Sequence, residues 1–424
     1  MYATVSLHVD AANAHPFHNA HLARPLAAGP HAMPSAPYDA IILGAGGVGS
    51  AAMWQLARRG LRVLGIDRFD PPHGEGSSHG QTRIIRQAYF EHADYVPLLL
   101  ESYRLWEELE ERSGQRLKIE TGLLEVGPRD GIVVPGVLSA ARQHGLAVEE
   151  LTAAAIESRW PGFRFPDQSP SSSPSELIGV FEPRAGYLKV EDCVAACLAE
   201  AKRHGAELLP NVEVRDWQAG DDILVRTTAG DFRANRLVIT AGAWSGPLLH
   251  DLGVPLEVRR KPLMWYEPND AATATASLTS AANGFPCFLF ELPSGIFYGF
   301  PAVDERGLKA AEHSGGEPVA NPLAVDRTLH AADQIRVDQF LQTHIPAVRT
   351  PCREHAVCLY TMSPDEHFIV DRHPADPRIV FAAGLSGHGF KFTPVLGQAL
   401  AELATEGVTR QTTVFLSLER FLRS

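Results

Sequence analysis

Residues 38–67 read YDAIILGAGGVGSAAMWQLARRGLRVLGID, and the reading of this stretch decides the fold. Ala40 to Leu43 is a short apolar run that enters a glycine-rich turn, with Gly44, Gly46 and Gly49 at G-x-G-x-x-G spacing. A helical pattern follows from Ala51 to Arg59 and stops at Gly60. A second strand pattern, Arg62 to Ile66, ends at Asp67, 18 residues beyond Gly49. Strand, tight turn, helix, strand and acidic residue in that order form a βαβ unit suited to a dinucleotide. The glycines let the backbone approach a pyrophosphate, the helix start offers free N–H groups, and Asp67 is placed to accept from ribose hydroxyls. The motif leaves FAD and NAD both open, while an acid at position 67 disfavours NADP.

The whole chain is consistent with this start. Its 424 residues leave room for two or three folding units at ~100–200 residues each. With 45% hydrophobic and 21% charged residues, it can bury sizeable cores. Thirty-eight Lys and Arg against 50 Asp and Glu give a net charge of −12, which argues against a nucleic-acid surface or a polybasic membrane anchor. No run of ~18 apolar residues occurs, so no membrane span is expected. The five cysteines are odd in number and irregularly spaced, as expected of a reducing, cytoplasmic compartment rather than a disulfide or zinc framework. Cys193 and Cys197 read as buried free thiols on a helix. Residues 1–37, rich in Ala and Pro, carry His8, His15, His18, His21 and His31 without regular spacing or a secretory pattern. They read as a disordered extension with solvated histidines, Met33 being a candidate natural start, and no metal site is expected.

Further along, Tyr95 to Arg112 has helical periodicity (Leu99, Tyr103, Trp106, Leu109) and stops at Ser113-Gly114. Val212 to Trp217 and Phe232 to Ile239 read as strands, the second entering Thr240-Ala-Gly-Ala-Trp244. Thr393 as N-cap and Pro394 as first helical residue mark a helix carrying Leu396, Leu400 and Leu403. Ser169 to Ser175 reads as a mobile surface insertion.

Three further stretches carry a more specific signal: FDPPHGEGSSHGQTRIIR after Asp67, VCLYTMSPDEHFIVD around Cys358, and GLSGHGFKF ending at Phe392. In this order, from about Tyr38 to the C-terminus, they resemble the monomeric sarcosine oxidase and N-methyltryptophan oxidase family of the glycine oxidase and D-amino acid oxidase superfamily. That resemblance implies an α/β fold. An FAD-binding Rossmann-like domain of glutathione-reductase type (38–119, 178–246 and 365–424) would interleave with an α+β substrate domain on an antiparallel sheet (120–177 and 247–364). It also implies an oxidase of secondary-amine amino acids: hydride passes to flavin N5, the imine hydrolyses, and O2 is reduced to hydrogen peroxide.

Carried over residue by residue, the resemblance makes Cys358 the covalent flavin attachment; alone it would read as a buried strand thiol. His79 and Arg83 would flank the flavin. Arg86 and Lys391 would pair the substrate carboxylate, which a planar Arg fork suits, with Tyr360 beside them. Lys309 would activate oxygen by stabilising superoxide charge, with His313 four residues on and Tyr298 as a pocket tyrosine. Gly387, His388 and Gly389 would lead a helix dipole to the flavin edge, joining Gly44, Gly46, Gly49 and Asp67 as cofactor contacts. The chain departs from the family's His-His-Gly-Asp-Thr-Arg at Ser78 and Gln81. A monomer acting on a small amino acid and O2, with neither nucleic-acid nor membrane partner, follows from the same reading. On the residues alone, an NAD-dependent dehydrogenase or imine reductase and a flavin-binding protein without turnover stay open; the first leaves the Cys358 and Lys309 motifs unexplained.

Overall fold

A computed structural model describes residues 37–166, 176–269, 273 and 276–422. The expectations for residues 1–36 and for Ser169 to Ser175 lie outside the described residues.

Ala40–Leu43 and Val63–Ile66 are adjacent parallel strands with the helix Gly47–Ala57 between them in sequence. The helix begins four residues earlier than its apolar pattern, because the glycine turn itself forms its first turn. These strands sit in a six-stranded sheet in the order Ile369–His373, Asp376–Ala383, Leu237–Ile239, Ala40–Leu43, Val63–Ile66, Glu207–Leu209. All neighbours are parallel except the first pair, which is antiparallel. Alternation then sorts the side chains: Ala40 and Ile42 join one core, Ile41 and Leu43 the other. Helices Gly47–Ala57, Tyr95–Ser113, Val190–Arg203 and Thr393–Glu406 contribute to the first core. A three-stranded antiparallel sheet, Val214–Ala219, Ile223–Thr227 and Gly230–Ala234, contributes to the second. The helix of 95–113 ends where Gly114 adopts a left-handed C-cap, and Cys193 and Cys197 are buried free thiols.

Two readings of local structure need correction. Phe232 to Ile239 is not one strand: the chain breaks at Asn235 and Arg236, leaving one sheet at Ala234 and joining another at Leu237. Thr393 is not the N-cap: Phe392 occupies that place, Thr393 opens the helix, and no side-chain cap is made. Its hydroxyl is thereby left over, which matters below.

The second large sheet is antiparallel apart from one pair, Cys287–Leu292 beside Leu123–Pro128. Its long strand Glu257–Tyr266 pairs with Glu354–Met362, setting Cys358 opposite Lys261. One face packs an aromatic core of Phe288, Phe290 and Phe297 against Phe340 on the helix Ala331–His344. The other face carries Leu289, Tyr298 and Cys358. A small sheet of Thr82–Ile85, Gly186–Lys189 and Lys118–Ile119 positions Arg83.

Candidate active site

A cleft with about 1390 Å³ of empty space, part of it open to solvent, runs from Gly44, Gly46 and Asp67 to Cys358, Tyr360 and Gly387. At its first end the turn is so tight that a Cβ on Gly49 would lie 1.8 Å from Gly44 O. Asp67 does more than the sequence suggested: Oδ2 accepts the Ala45 N–H at 2.7 Å and Oδ1 the Phe69 N–H at 2.9 Å, tying strand end to glycine turn. A carboxylate has about four lone-pair sites, so this leaves capacity for a ribose. Gly46 caps its helix without a side chain, and Ser78, one of the departures from the family motif, accepts the Gly47 N–H at 3.1 Å. Along the same cavity, the buried atoms Thr361 Oγ1, Thr393 Oγ1 and Trp244 Nε1 have no hydrogen-bond partner among the described residues. Glycine-lined backbone, two helix starts and three orphaned polar atoms fit a long polar cofactor such as FAD.

At the far end lies Cys358, 3.1 Å from Arg83 Nη2. Arg83 is itself fixed by Ser77 O and Thr82 O, both at 2.9 Å. Burial raises the thiol, but Arg83 and then His79 outweigh it and bring Cys358 down to about 6. Gln81, the second departure, is pinned by Trp265 Nε1 at 3.0 Å and by Asp304 at 2.6 Å.

A second cavity of about 550 Å³ adjoins the first, sharing Arg83, Tyr360, Gly387 and Phe390 as walls. Into it converge Arg86, Tyr298, His313, His388 and Lys391. Arg86 is 3% exposed and lies over the rings of Tyr89 and Phe90, 4.2 and 4.5 Å from their centroids. Its Nη2 meets both oxygens of Glu91 at 2.7 Å, and its Nη1 lies 3.1 Å from Glu125. Lys391 Nζ donates to His388 O at 2.7 Å and Tyr89 OH at 3.3 Å. Burial and Arg86 push this lysine down to about 7. His313 Nδ1 lies 3.3 Å from Tyr360 OH, and burial with Lys261 pushes the imidazole down to about 3, so it stays neutral.

Lys309, His79 and Gly49 stand apart from these two cavities. The buried Lys309 donates to Gly80 O at 2.7 Å and Thr82 O at 2.8 Å, its Nζ 4.1 Å from the Phe300 ring centroid, and burial and Arg83 push it well below its ordinary value. It therefore holds the segment that bears Arg83 from behind. His79 faces a third cavity, with Gln81, Thr82 and Trp265.

Comparison with known proteins bears on this arrangement. The FAD dependent oxidoreductase family model matches residues 39–403. The chain belongs to the FAD dependent oxidoreductase family. It is 38% identical over 91% of its length to monomeric sarcosine oxidase from Bacillus sp. (strain NS-129), covering 97% of that protein. It is also 38% identical over 91% of its length to N-methyl-L-tryptophan oxidase from Yersinia pestis (strain Pestoides F), covering 99% of that protein. Among solved structures, NikD, an unusual amino acid oxidase essential for nikkomycin biosynthesis, superposes with a TM-score of 0.77 at 26% identity, over 90% of this chain and 97% of that one.

As an FAD-dependent oxidoreductase, the protein uses flavin rather than NAD. Several residues at its cavities carry no motif of their own. Glu91, Phe90 and Leu289 line the second cavity, and Glu125 and Lys261 lie behind it. Glu91, five residues after Arg86, offered a weak signal as an acid near a candidate anion site; Glu125 looked like an ordinary strand position. Among the described residues no group could hold a metal ion, and no helix is long and apolar enough to cross a membrane.

Proposed function

We propose that this FAD-dependent oxidoreductase oxidises small α-amino acids bearing a secondary amine, such as N-methyl amino acids, with O2 as acceptor. The observation that carries this reading is the convergence of Arg86 and Lys391 on one small cavity that shares four walls with the long one. A carboxylate entering a pocket walled by buried side chains needs cationic partners, and a guanidinium with a second cation supplies them. Tyr298, Tyr360, Phe90 and Phe390 exclude water around the reacting carbon. His313, held neutral, orients the Tyr360 hydroxyl and takes no proton; the substrate nitrogen loses its proton to solvent before reaction. FAD, when bound, supplies the two-electron acceptor that O2 regenerates with release of hydrogen peroxide.

Gly44, Gly46, Asp67, Thr361, Thr393 and the Gly387–Gly389 turn would hold FAD, and Cys358 would attach to it covalently. The low thiol value and its place in the cavity wall support attachment, since the thiolate is the reactive form. Lys309 would serve O2 reduction through its charge, reaching the site from behind Gly80 and Thr82. In this reading the chain divides into the flavin and substrate domains that the resemblance implies, with Leu177–Glu182, which pairs into the larger sheet, assigned to the substrate domain. A monomer in the cytoplasm completes the reading.

The test is a peroxide assay of the purified yellow protein on sarcosine, N-methyltryptophan, pipecolate, proline and methylamine. Turnover of carboxylated secondary amines with methylamine left unoxidised is expected. Equal oxidation of methylamine, or preference for primary amines throughout, would refute the substrate class.

A further inference from the structure

The strand Leu123–Pro128 lies in the middle of the larger sheet, between Leu177–Glu182 and Cys287–Leu292. Alternation turns Leu124 and Val126 into the aromatic core with Phe288 and Phe290. Glu125 takes the other face with Leu123, in register with Val180 and Leu289. Leu289 and Tyr298 on that face line the cation-bearing cavity. A carboxyl group here breaks the pattern, because Glu125 is 0% exposed and neither oxygen has a hydrogen-bond partner among the described residues. Arg86 Nη1 is 3.1 Å away but not aligned for a hydrogen bond.

The charged and titratable groups facing Glu125 come from every side. Arg86 stands in front with Glu91 beyond it and the Tyr89 ring against its guanidinium, Glu182 lies on the adjacent strand, and Lys391 is in the cavity wall. The helix Val133–His144, packed on the same strands, contributes Val133, Val134 and Val137. Glu182 is occupied by the N–H groups of Gln87 and Ala88, at 2.8 and 2.9 Å.

We propose that Glu125 is a positioning residue for carboxylate recognition: as a neutral acid behind Arg86 it leaves the Arg86–Glu91–Lys391 cluster a net positive charge for an incoming carboxylate, and its ionisation weakens that binding. The inference rests on the amino-acid reading above. With Glu125 neutral, Arg86, Lys391 and Glu91 together carry one positive charge, which a ligand carboxylate cancels. With Glu125 ionised the cluster is neutral while Lys391 keeps its proton and negative once Lys391 loses it, and the same ligand would leave a buried negative charge, which the interior disfavours. Burial, then Glu182 and Glu91, push Glu125 up to about 8 against Arg86 and Lys391. Above that value carboxylate binding must take up a proton at Glu125, and another at Lys391, whose own value is about 7.

The experiment measures the dissociation constant of acetate for the FAD-loaded protein between pH 6 and pH 9, in wild type and Glu125→Gln. From pH 8 to pH 9, wild-type affinity should fall roughly fiftyfold and the variant's roughly tenfold, because one proton fewer is linked to binding. Calorimetry in buffers of different ionisation heat counts the same proton directly. Infrared difference spectra supply a readout independent of binding: protonated-carboxyl absorption at neutral pH that disappears above pH 8 in wild type, of which the Glu125 component is lost in Glu125→Gln or, should that variant not fold, in Glu125→Leu, while the component of Glu182, which burial raises to about 7, stays. Equal pH slopes in the two proteins, or no Glu125 component in wild type, would overturn the inference while leaving the amino-acid reading intact. Failure of wild type and variant alike to bind acetate at any pH would refute the amino-acid reading, and this inference with it.

Discussion

Arg83→Gln removes the guanidinium that lies 3.1 Å from Cys358 Sγ. With it in place the thiol sits near 6 instead of its ordinary 9.0, a preference for thiolate of about 4 kcal/mol. The other cysteines show what burial does without such a partner, since Cys197 and Cys287 are pushed up to about 12 and Cys352 to about 11. The variant's Cys358 should therefore titrate above about pH 8, leaving only the weaker pull of His79. Protein made without flavin can be alkylated with iodoacetamide across a pH series and read at Cys358 by mass spectrometry. The rate at one pH would mislead. For a thiol returned to its ordinary 9.0, the thiolate fraction at pH 7 falls roughly a hundredfold, but each remaining thiolate is roughly twentyfold more nucleophilic, so the net loss is only about fivefold. The midpoint of the profile is the decisive quantity. Because the folded-state value lies below the ordinary one, flavin-free wild type should also gain stability from pH 6 to pH 9 and lose it as pH falls through 6, a trend the variant flattens. A midpoint near pH 6 in both proteins would show that Arg83 does not control the thiol.

Three further outcomes are expected. Arg86→Met should lower kcat/KM for N-methyl amino acids roughly ten- to hundredfold, the range of one lost charge-assisted hydrogen bond, and steady-state peroxide assays will show it. Lys309→Met should slow reoxidation by O2 far more than anaerobic reduction by substrate, measured by stopped-flow flavin absorbance; equal losses would mean that the lysine only supports the Gly80 and Thr82 carbonyls. Gly387→Ala should destabilise the protein by about 1–2 kcal/mol from backbone conformation alone, read by thermal unfolding. It should also displace Tyr360, whose ring would lie 2.2 Å from the new methyl group.

The nucleotide end was legible because its requirements are local. A turn that admits only glycine, a helix start and an acid at a strand end leave their marks within 30 neighbouring residues. Cys358, Arg83 and Lys391 were legible only as motif matches, since nothing near Cys358 in sequence reveals that Arg83 will meet it. Glu125 was invisible for a different reason. A glutamate between Leu124 and Val126 reads as an exposed position on a half-buried strand, and only the covering of both sheet faces makes it a buried acid. The break at Asn235 and Arg236 was missed because both flanking runs are strands, and apolar alternation does not record which sheet a strand joins. Thr393 was misplaced by one residue because Thr-Pro signals a helix start without saying which residue is the cap.

The strand order of the six-stranded sheet also governs when the protein can first hold its cofactor during synthesis. Ala40–Leu43 is flanked by Val63–Ile66 and Leu237–Ile239, and the next strand outward is Asp376–Ala383. A nascent chain that has emerged only to residue 370 possesses the glycine turn and Asp67. It lacks that strand, Lys391 and the orphaned hydroxyl of Thr393. A chain ending at residue 370 is therefore expected to retain no flavin, with the apolar edge of Leu237–Ile239 left unpaired and open to proteases and chaperones. On that expectation the flavin bound per purified polypeptide would report the fraction of completed chains.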